Sequence, residues 1–396
     1  MKGFSSFLGA IAFSSTIVNA HTVFTTLFVN DVSQGDGTCV RMNMNPQECT
    51  NPIAGIDSDD MACGVSGGQP VAFTCPAPAG GKLTFEWRLW ADAEQPGALD
   101  ISHKGPCAVY AKQVKDMATD SAAGPGWIKL WEDGYDDAAG KWCTEKVIDN
   151  NGLLSIDVPE SLPGGNWLFR PELLALHNAD KGDPQFYTGC AQVFVQSSSS
   201  NAAPLDVPAE YSVSIPGYVQ ADDPGLTFNI YSPHFPYPMP GPKVYEPAGS
   251  ATAVASVSTS PSSSKVVALK QTEGKLPPDY LIKNANWVGV EVAAYSTEAG
   301  CWDASSACFA QAAACYDAAP PTGSANCRVW EHKCDGINAA CSAGDFAGPP
   351  DQGQKLVGED PAPPADIPEP ASGAGSSEAK RQMRRRRVRR AAWRLP

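Results

Sequence analysis

The chain has 396 residues, enough for more than one domain and for cores that form without staples. Only 18% of residues are charged, and 36 glycines, 35 prolines and 13 cysteines suit strands, turns and long loops in an oxidising compartment rather than a helical bundle. The net charge is −14, and nine of the 29 basic residues lie between Lys380 and Arg394, so the rest of the chain sets 20 basic residues against 43 acidic ones. Such a body repels nucleic acid and anionic surfaces, and its partner is expected to be neutral or weakly charged.

In chain order, residues 1–20 carry a single basic residue, Lys2, then an apolar stretch through Phe7, Leu8, Ile11, Phe13, Ile17 and Val18. They end in Val18-Asn19-Ala20, the small-residue pattern of a signal peptide cut before His21. No other apolar run approaches the roughly 20 residues that cross a bilayer. A secreted, extracellular protein with no membrane partner is expected. Residues 21–246 predict one all-β domain, with short apolar or alternating runs at 22–29, 71–75, 83–88, 108–110, 127–131, 153–158, 167–169 and 185–196. Gly, Pro, Asn and Asp clusters separate them, the spacing of an antiparallel sandwich with long loops.

Residues 247–275, rich in Ser, Thr and Ala, predict a linker. In the segment 276–346, Cys301, Cys308, Cys315, Cys327, Cys334 and Cys341 follow one another at steps of 7, 7, 12, 7 and 7. A seven-residue step returns a side chain to the same helix face, and Pro320-Pro321-Thr322-Gly323 breaks the two triplets with a turn. The expectation is a small α-hairpin stapled along one seam by Cys315–Cys327, Cys308–Cys334 and Cys301–Cys341. Metal binding by these cysteines is the competing reading, disfavoured by an oxidising compartment. Trp302, Phe309, Tyr316 and Trp330 are expected to pack the hairpin rather than to bind sugar. Residues 347–396 read as a disordered tail, first Pro-, Ala- and acid-rich, then basic.

The chain has five histidines, His21, His103, His177, His234 and His332. Cleavage before His21 would leave a free α-amine beside its imidazole, and these two nitrogens can chelate one metal ion. Each histidine taken alone also reads as a buried structural imidazole or a solvated loop residue. Gln185 and Tyr187 share strand parity and so face the same way.

His21, His103-Lys104-Gly105-Pro106, the run from Leu173 to His177, and Gln185-Phe186-Tyr187 followed by Cys190-Ala191-Gln192 together resemble the fungal lytic polysaccharide monooxygenases of auxiliary activity family 9. The resemblance runs in order from residue 21 to about residue 245 and closes on Tyr237-Pro238-Met239-Pro240-Gly241-Pro242. It implies an immunoglobulin-like β-sandwich and one copper ion. The amine and imidazole of His21 and the imidazole of His103 would hold that ion, with Tyr187 axial, a nitrogen set that favours copper. His177 and Gln185 would hydrogen-bond the reacting oxygen species, and Tyr237 would lie at the surface against glucose rings, the alternative being a tyrosine packed in the Pro-rich terminal loop. The activity implied is oxidative cleavage of cellulose or another β-glucan at C1 and/or C4 by a monomer. It would use O2 or H2O2 and an electron donor such as cellobiose dehydrogenase or a small reductant. No acidic pair stands out for hydrolysis. The alternative is a non-catalytic copper- or carbohydrate-binding protein on the same fold. The family's bridge maps onto Cys75–Cys190, with Cys107–Cys143 and Cys39–Cys63 beside it and Cys49 left over. One departure is Arg170-Pro171-Glu172, where many members have Arg-His-Glu.

Overall fold

A computed structural model describes residues 21–197, 205, 207–246 and 269–370. The expected signal peptide, most of the expected linker and the basic run lie outside the described residues. The chain opens with β1 (Val23–Val29), β2 (Val32–Ser33) and β3 (Val40–Arg41). A short helix α1 (Asp60–Cys63) precedes β4 (Cys75–Pro78) and β5 (Lys82–Arg88). Next come β6 (Cys107–Val114), β7 (Gly124–Asp133), β8 (Tyr135–Asp136), β9 (Lys141–Trp142) and helix α2 (Cys143–Asp149). The domain is completed by β10 (Leu153–Asp157), β11 (Gly165–Ala175), β12 (Gln185–Thr188), β13 (Cys190–Gln196) and β14 (Ser212–Ile215).

Two sheets face each other. One has the order β10-β5-β1-β2, and the other β14-β7-β6-β11-β13-β3 with β12 also on β11 and β4 also on β13. Pairing between the sandwich strands is antiparallel except between β4 and β13. Strand parity sorts the core. Trp167, Phe169 and Leu173 of β11 meet Phe24, Leu27, Phe85, Trp87 and Val109 between the sheets. Their neighbours Leu168 and Leu174, with Ala108 and Tyr110, face outward and are covered in turn by Trp142, Tyr218, Leu226, Phe228 and Tyr237. The larger sheet is thus buried on both faces, which is why its strands read as apolar runs rather than as clean alternation.

Two expected strands differ in detail. The run at 71–75 is loop until Cys75, and the run at 185–196 breaks at Gly189 into β12 and β13, both on β11. Pro171 sits at that break. Its missing N–H falls where β11 changes partner between Phe169↔Ala191 and Glu172↔Thr188, the place in a sheet that tolerates proline. Arg170 and Glu172 beside it are buried and paired at 2.6 Å. Arg170 Nε donates to the Met61 carbonyl at 2.8 Å, and the Tyr218 hydroxyl donates to Glu172, so one ionic pair ties α1 and the segment of Tyr218 to the sheet.

The disulfides correct two expected pairings. The bonds are Cys39–Cys75 and Cys63–Cys190, not Cys75–Cys190 and Cys39–Cys63; Cys107–Cys143 is present and Cys49 is a buried free thiol. The cause is the shared edge of β13. Cys75 pairs with Val193, three residues past Cys190, while the Cys39 carbonyl accepts from Gln192 N on that same edge. Cys39 and Cys75 therefore meet end to end with Cα atoms 5.8 Å apart. Cys190 instead faces α1, whose last residue is Cys63.

The second module has a small hairpin, β15 (Ile282–Asn284) and β16 (Trp287–Gly289), followed by the helices α3 (Glu298–Asp317) and α4 (Ala325–Ser342). Bridges Cys301–Cys341, Cys308–Cys334 and Cys315–Cys327 join the helices along one buried seam. Trp330 is buried there and donates to the Cys308 carbonyl at 3.1 Å. Trp302 and Tyr316, by contrast, are exposed, so their expected packing role is not what the structure has.

This module is docked on the sandwich. Thr38 Oγ1 donates to the Ala285 carbonyl (3.1 Å), Asn286 Nδ2 to the Gly37 carbonyl (2.7 Å), Cys39 N to Asn286 Oδ1 (3.0 Å) and Lys283 Nζ to the Gln34 carbonyl. The end of the expected linker is docked too, since Gln271 donates to the Thr74 carbonyl and Thr74 N to the Gly274 carbonyl, both at 2.8 Å. The tail also departs from expectation as far as it is described. Gly348 pairs with Tyr295, Leu356 N donates to the Leu281 carbonyl at 2.9 Å, and Glu369 lies 3.6 Å from Lys82 on the sandwich. No helix among the described residues is long and apolar enough to cross a membrane.

Candidate metal centre

His21 stands immediately before β1, half-buried, its Nδ1 3.2 Å from Asn51 Oδ1. His103 lies in the loop before β6, folded by a turn in which His103 N donates to the Asp100 carbonyl (3.0 Å) and Ser102 N to Asp100 Oδ1 (2.8 Å). Hydrogen bonds from Ser102 hold the Asp100 carboxyl below its usual range. The register of β6 and β11 places Leu173 opposite Cys107. Leu174 N then donates to the Pro106 carbonyl and Leu176 N to the Lys104 carbonyl, which continues the pairing past the strand ends. That continued register sets His103 opposite His177.

Gly105 permits the approach. A Cβ there would lie 1.9 Å from the Leu174 carbonyl oxygen, a distance no side chain tolerates. Gly105→Ala is therefore expected to lift the His103 loop off β11. A melting temperature several degrees below the parent, together with copper affinity reduced at least about tenfold, is the expected pair of readings. Calorimetry and a copper titration measure both.

The side chains converge. The His21 and His103 rings are 6.0 Å apart between centroids, His21 and Tyr187 6.1 Å, and His103 and Tyr187 5.8 Å. His103 Nε2 is 3.2 Å from the Tyr187 hydroxyl, which donates to Gln185 Oε1 at 2.8 Å. Gln185 Nε2 donates to Asp183 at 3.3 Å, so the amide is oriented at both ends. The His177 ring lies 4.4 Å from that of His103, and its Nδ1 is buried without a partner among the described residues.

Burial sets the charge states. His103 is 3% exposed, and desolvation, reinforced by the His177 and His21 rings, holds its pKa down to about 4. Burial also lowers His177 and pushes the Tyr187 phenol far up. At neutral pH the site is thus two neutral imidazoles and a neutral phenol around His21. With Ser102 Oγ 3.2 Å from His103 Nδ1, a proton on Nδ1 leaves the Nε2 lone pair free toward Tyr187. Among the described residues no group of three or more His, Cys, Asp or Glu could hold a metal. An ion here would rest on two imidazoles plus the His21 amine, and such a nitrogen set fits copper.

A model of Auxiliary Activity family 9 (formerly GH61) matches residues 21–237, more than half of the chain. The chain belongs to this family. It is a polysaccharide-cleaving monooxygenase and an oxidoreductase. AA9 family lytic polysaccharide monooxygenase H of Botryotinia fuckeliana is 53% identical over 341 residues, 85% of this chain and 76% of that one. AA9 family lytic polysaccharide monooxygenase C of Aspergillus tamarii is 48% identical over 372 residues, 92% of this chain and 94% of that one, so its likeness extends beyond the family domain. The solved structure of CvAA9A matches at a TM-score of 0.51 and 33% identity, covering 57% of this chain and 98% of that one.

Of the residues that the AA9 motifs single out, the structure brings His21, His103, Tyr187, His177 and Gln185 together and leaves Tyr237 out. Tyr237 is 9% exposed, packed edge-on against Trp142 and Phe228 at 5.0 and 5.1 Å, and its hydroxyl donates to the Gly225 carbonyl at 2.8 Å. The Pro-rich segment around it closes the outer face of the larger sheet, and the ring is part of that cover. The exposed ring by the site is Tyr231, 69% exposed, its hydroxyl donating to the His177 carbonyl at 3.2 Å. Tyr237→Ala is expected to cost about 3 kcal/mol of stability; Tyr231→Ala should stay within about 0.5 kcal/mol. Urea denaturation of the two variants separates them.

Reading the sequence also missed Asn51, Ser102 and Asp183, which orient His21, His103 and Gln185. Ser102 and Asp183 are close in sequence to the residues they serve, a signal that was there to use. Asn51 is 30 residues from His21, and nothing local marks it.

Proposed function

We propose that this AA9 protein, once residues 1–20 are removed, is a secreted copper enzyme. It cleaves β-1,4-glucosidic bonds of cellulose by oxidation at C1 and/or C4, using O2 or H2O2 and electrons from an external donor such as cellobiose dehydrogenase or a small reductant. The observation that carries the reading is the convergence of the His21, His103 and Tyr187 side chains. His21, through its amine and Nδ1, and His103, through Nε2, would hold the copper, with the Tyr187 hydroxyl beside it. Copper so held would supply the one-electron chemistry that turns O2 or H2O2 against a C–H bond.

The protein's own groups do the rest. His103 stays neutral because burial opposes its charge, so its lone pair is available without a proton to displace. Tyr187 keeps its proton and donates it in a hydrogen bond to Gln185 Oε1. The Nδ1 of His177, without a partner among the described residues, and the amide of Gln185 are the groups available to hydrogen-bond a small oxygen species. Tyr231 offers an exposed ring to glucose beside His177, the role expected of Tyr237. The test is mass spectrometry of products from phosphoric-acid-swollen cellulose with copper and ascorbate. Aldonic or 4-keto oligosaccharides are expected, and they identify the carbon attacked. Release of unoxidised sugars alone, persisting under chelation and without reductant, would overturn the reading.

A further inference from the structure

We propose that the outer face of α3 is a second glucan-binding site, a row of aromatic rings pitched to a single β-1,4-glucan chain. The row is Trp302, Phe309 and Tyr316, each the residue that follows a bridged cysteine, Cys301, Cys308 and Cys315. The cysteines turn inward to the seam and are buried, so the next residue emerges on the flank of the helix. Trp302 is 40% exposed and Tyr316 38%, with Phe309 between them half-buried and packed on its inner side against the module's core.

The pitch names the ligand. Seven helical residues advance about 10 Å and return to nearly the same angle. Successive glucose units of a β-1,4-glucan are flipped, so one face recurs every second sugar, and the ring-to-ring step matches about one cellobiose unit. Along the row only Ser306 and Ala313 stand between the rings; both are exposed and too short to overtop them. Apolar sugar faces stack on such rings. The charged residues of α3 are Glu298, Asp303 and Asp317, with no Lys or Arg, so an anionic ligand is repelled and a neutral polymer is not. Three bridges anchor α3 to α4, so the backbone that carries the row is fixed before any ligand arrives, and the Tyr316 hydroxyl also donates to Glu331 on α4 at 2.7 Å.

The proposal rests on the reading of a β-1,4-glucan as substrate, and the experiment keeps the two apart by measuring binding without turnover. The full mature protein, copper-loaded and without reductant, is partitioned between buffer and microcrystalline cellulose. The double variant Trp302→Ala/Tyr316→Ala is expected to bind at least about tenfold more weakly with an unchanged melting temperature, because both rings are exposed. Tyr316→Phe, which keeps the ring and loses the bond to Glu331, is expected to bind as the parent does. Oxidation of a soluble cello-oligosaccharide should be the same in parent and double variant. Parent-like cellulose binding by the double variant would overturn the proposal. So would equal loss in Tyr316→Phe and Tyr316→Ala, or parent binding to granular starch as tightly as to cellulose. If the parent yields no oxidised product while the double variant still loses cellulose binding, the catalytic reading fails and the binding row stands.

Discussion

Replacing His103 with alanine is expected to abolish copper retention and oxidised product together while leaving the fold intact. His103 would supply one of the two imidazoles that hold the ion, and among the described residues no group of three or more His, Cys, Asp or Glu could hold it instead. Loss of an orienting neighbour of a metal ligand typically costs 10–100-fold in affinity, and loss of a ligand should exceed about 100-fold. The structural cost is smaller. The substitution opens space beside His177 and removes the ring nitrogen that Ser102 Oγ meets at 3.2 Å, about 1–2 kcal/mol by comparison with other buried hydrogen-bonded groups. Isothermal titration with copper reads the first effect and product mass spectrometry the second, with a thermal melt as control. Wild-type oxidation in a His103→Ala protein that melts normally would sink the assignment.

Adding one methionine before His21 should be nearly as damaging, although it alters no side chain. A free α-amine has a reference pKa near 8 and a lone pair that a metal can claim. The nitrogen of a peptide bond has no such lone pair, because it is delocalised into the carbonyl. The extra residue therefore removes one of three nitrogen donors and the chelate ring it closes with Nδ1. Copper affinity is expected to fall at least about 100-fold and oxidation to background, with the melting temperature of the metal-free protein unchanged, since His21 is only half-buried and its ring bonds Asn51 from outside the strand. Two proteins, one processed to His21 and one carrying the methionine, compared by titration and product analysis, decide it. Equal activity would show that the amine is not a ligand.

Local pattern made part of this site legible. Gln185 and Tyr187 share parity on one strand, and the structure joins them by a direct hydrogen bond. The seven-residue cysteine steps fix a helix face, and the bridges follow from antiparallel packing of two such faces. What could not be read depends on pairing between distant segments. His103 meets His177 because β6 and β11 share a register that continues past both strand ends, and no feature of either strand alone states that register. The same blindness explains the exchanged disulfides, since the meeting of Cys39 and Cys75 depends on two separate strands sharing one edge of β13. Tyr237 packs instead of meeting sugar because a second apolar layer covers the outside of the larger sheet, and sequence parity cannot tell a covered outer face from a wet one.

The docking of the C-terminal module has a consequence for how the whole chain would work along a polymer. A module on a loose tether samples a volume, and its catalytic partner lands anywhere within reach. Here Asn286 bonds both Gly37 and Cys39, and Gln271 bonds Thr74, so contacts from two separate segments hold the C-terminal module against the sandwich. The chain behaves as a ruler rather than a leash. Whatever α3 grips, the reacting centre stands at a distance set by folded backbone, and repeated cuts from one grip would fall at one measured offset.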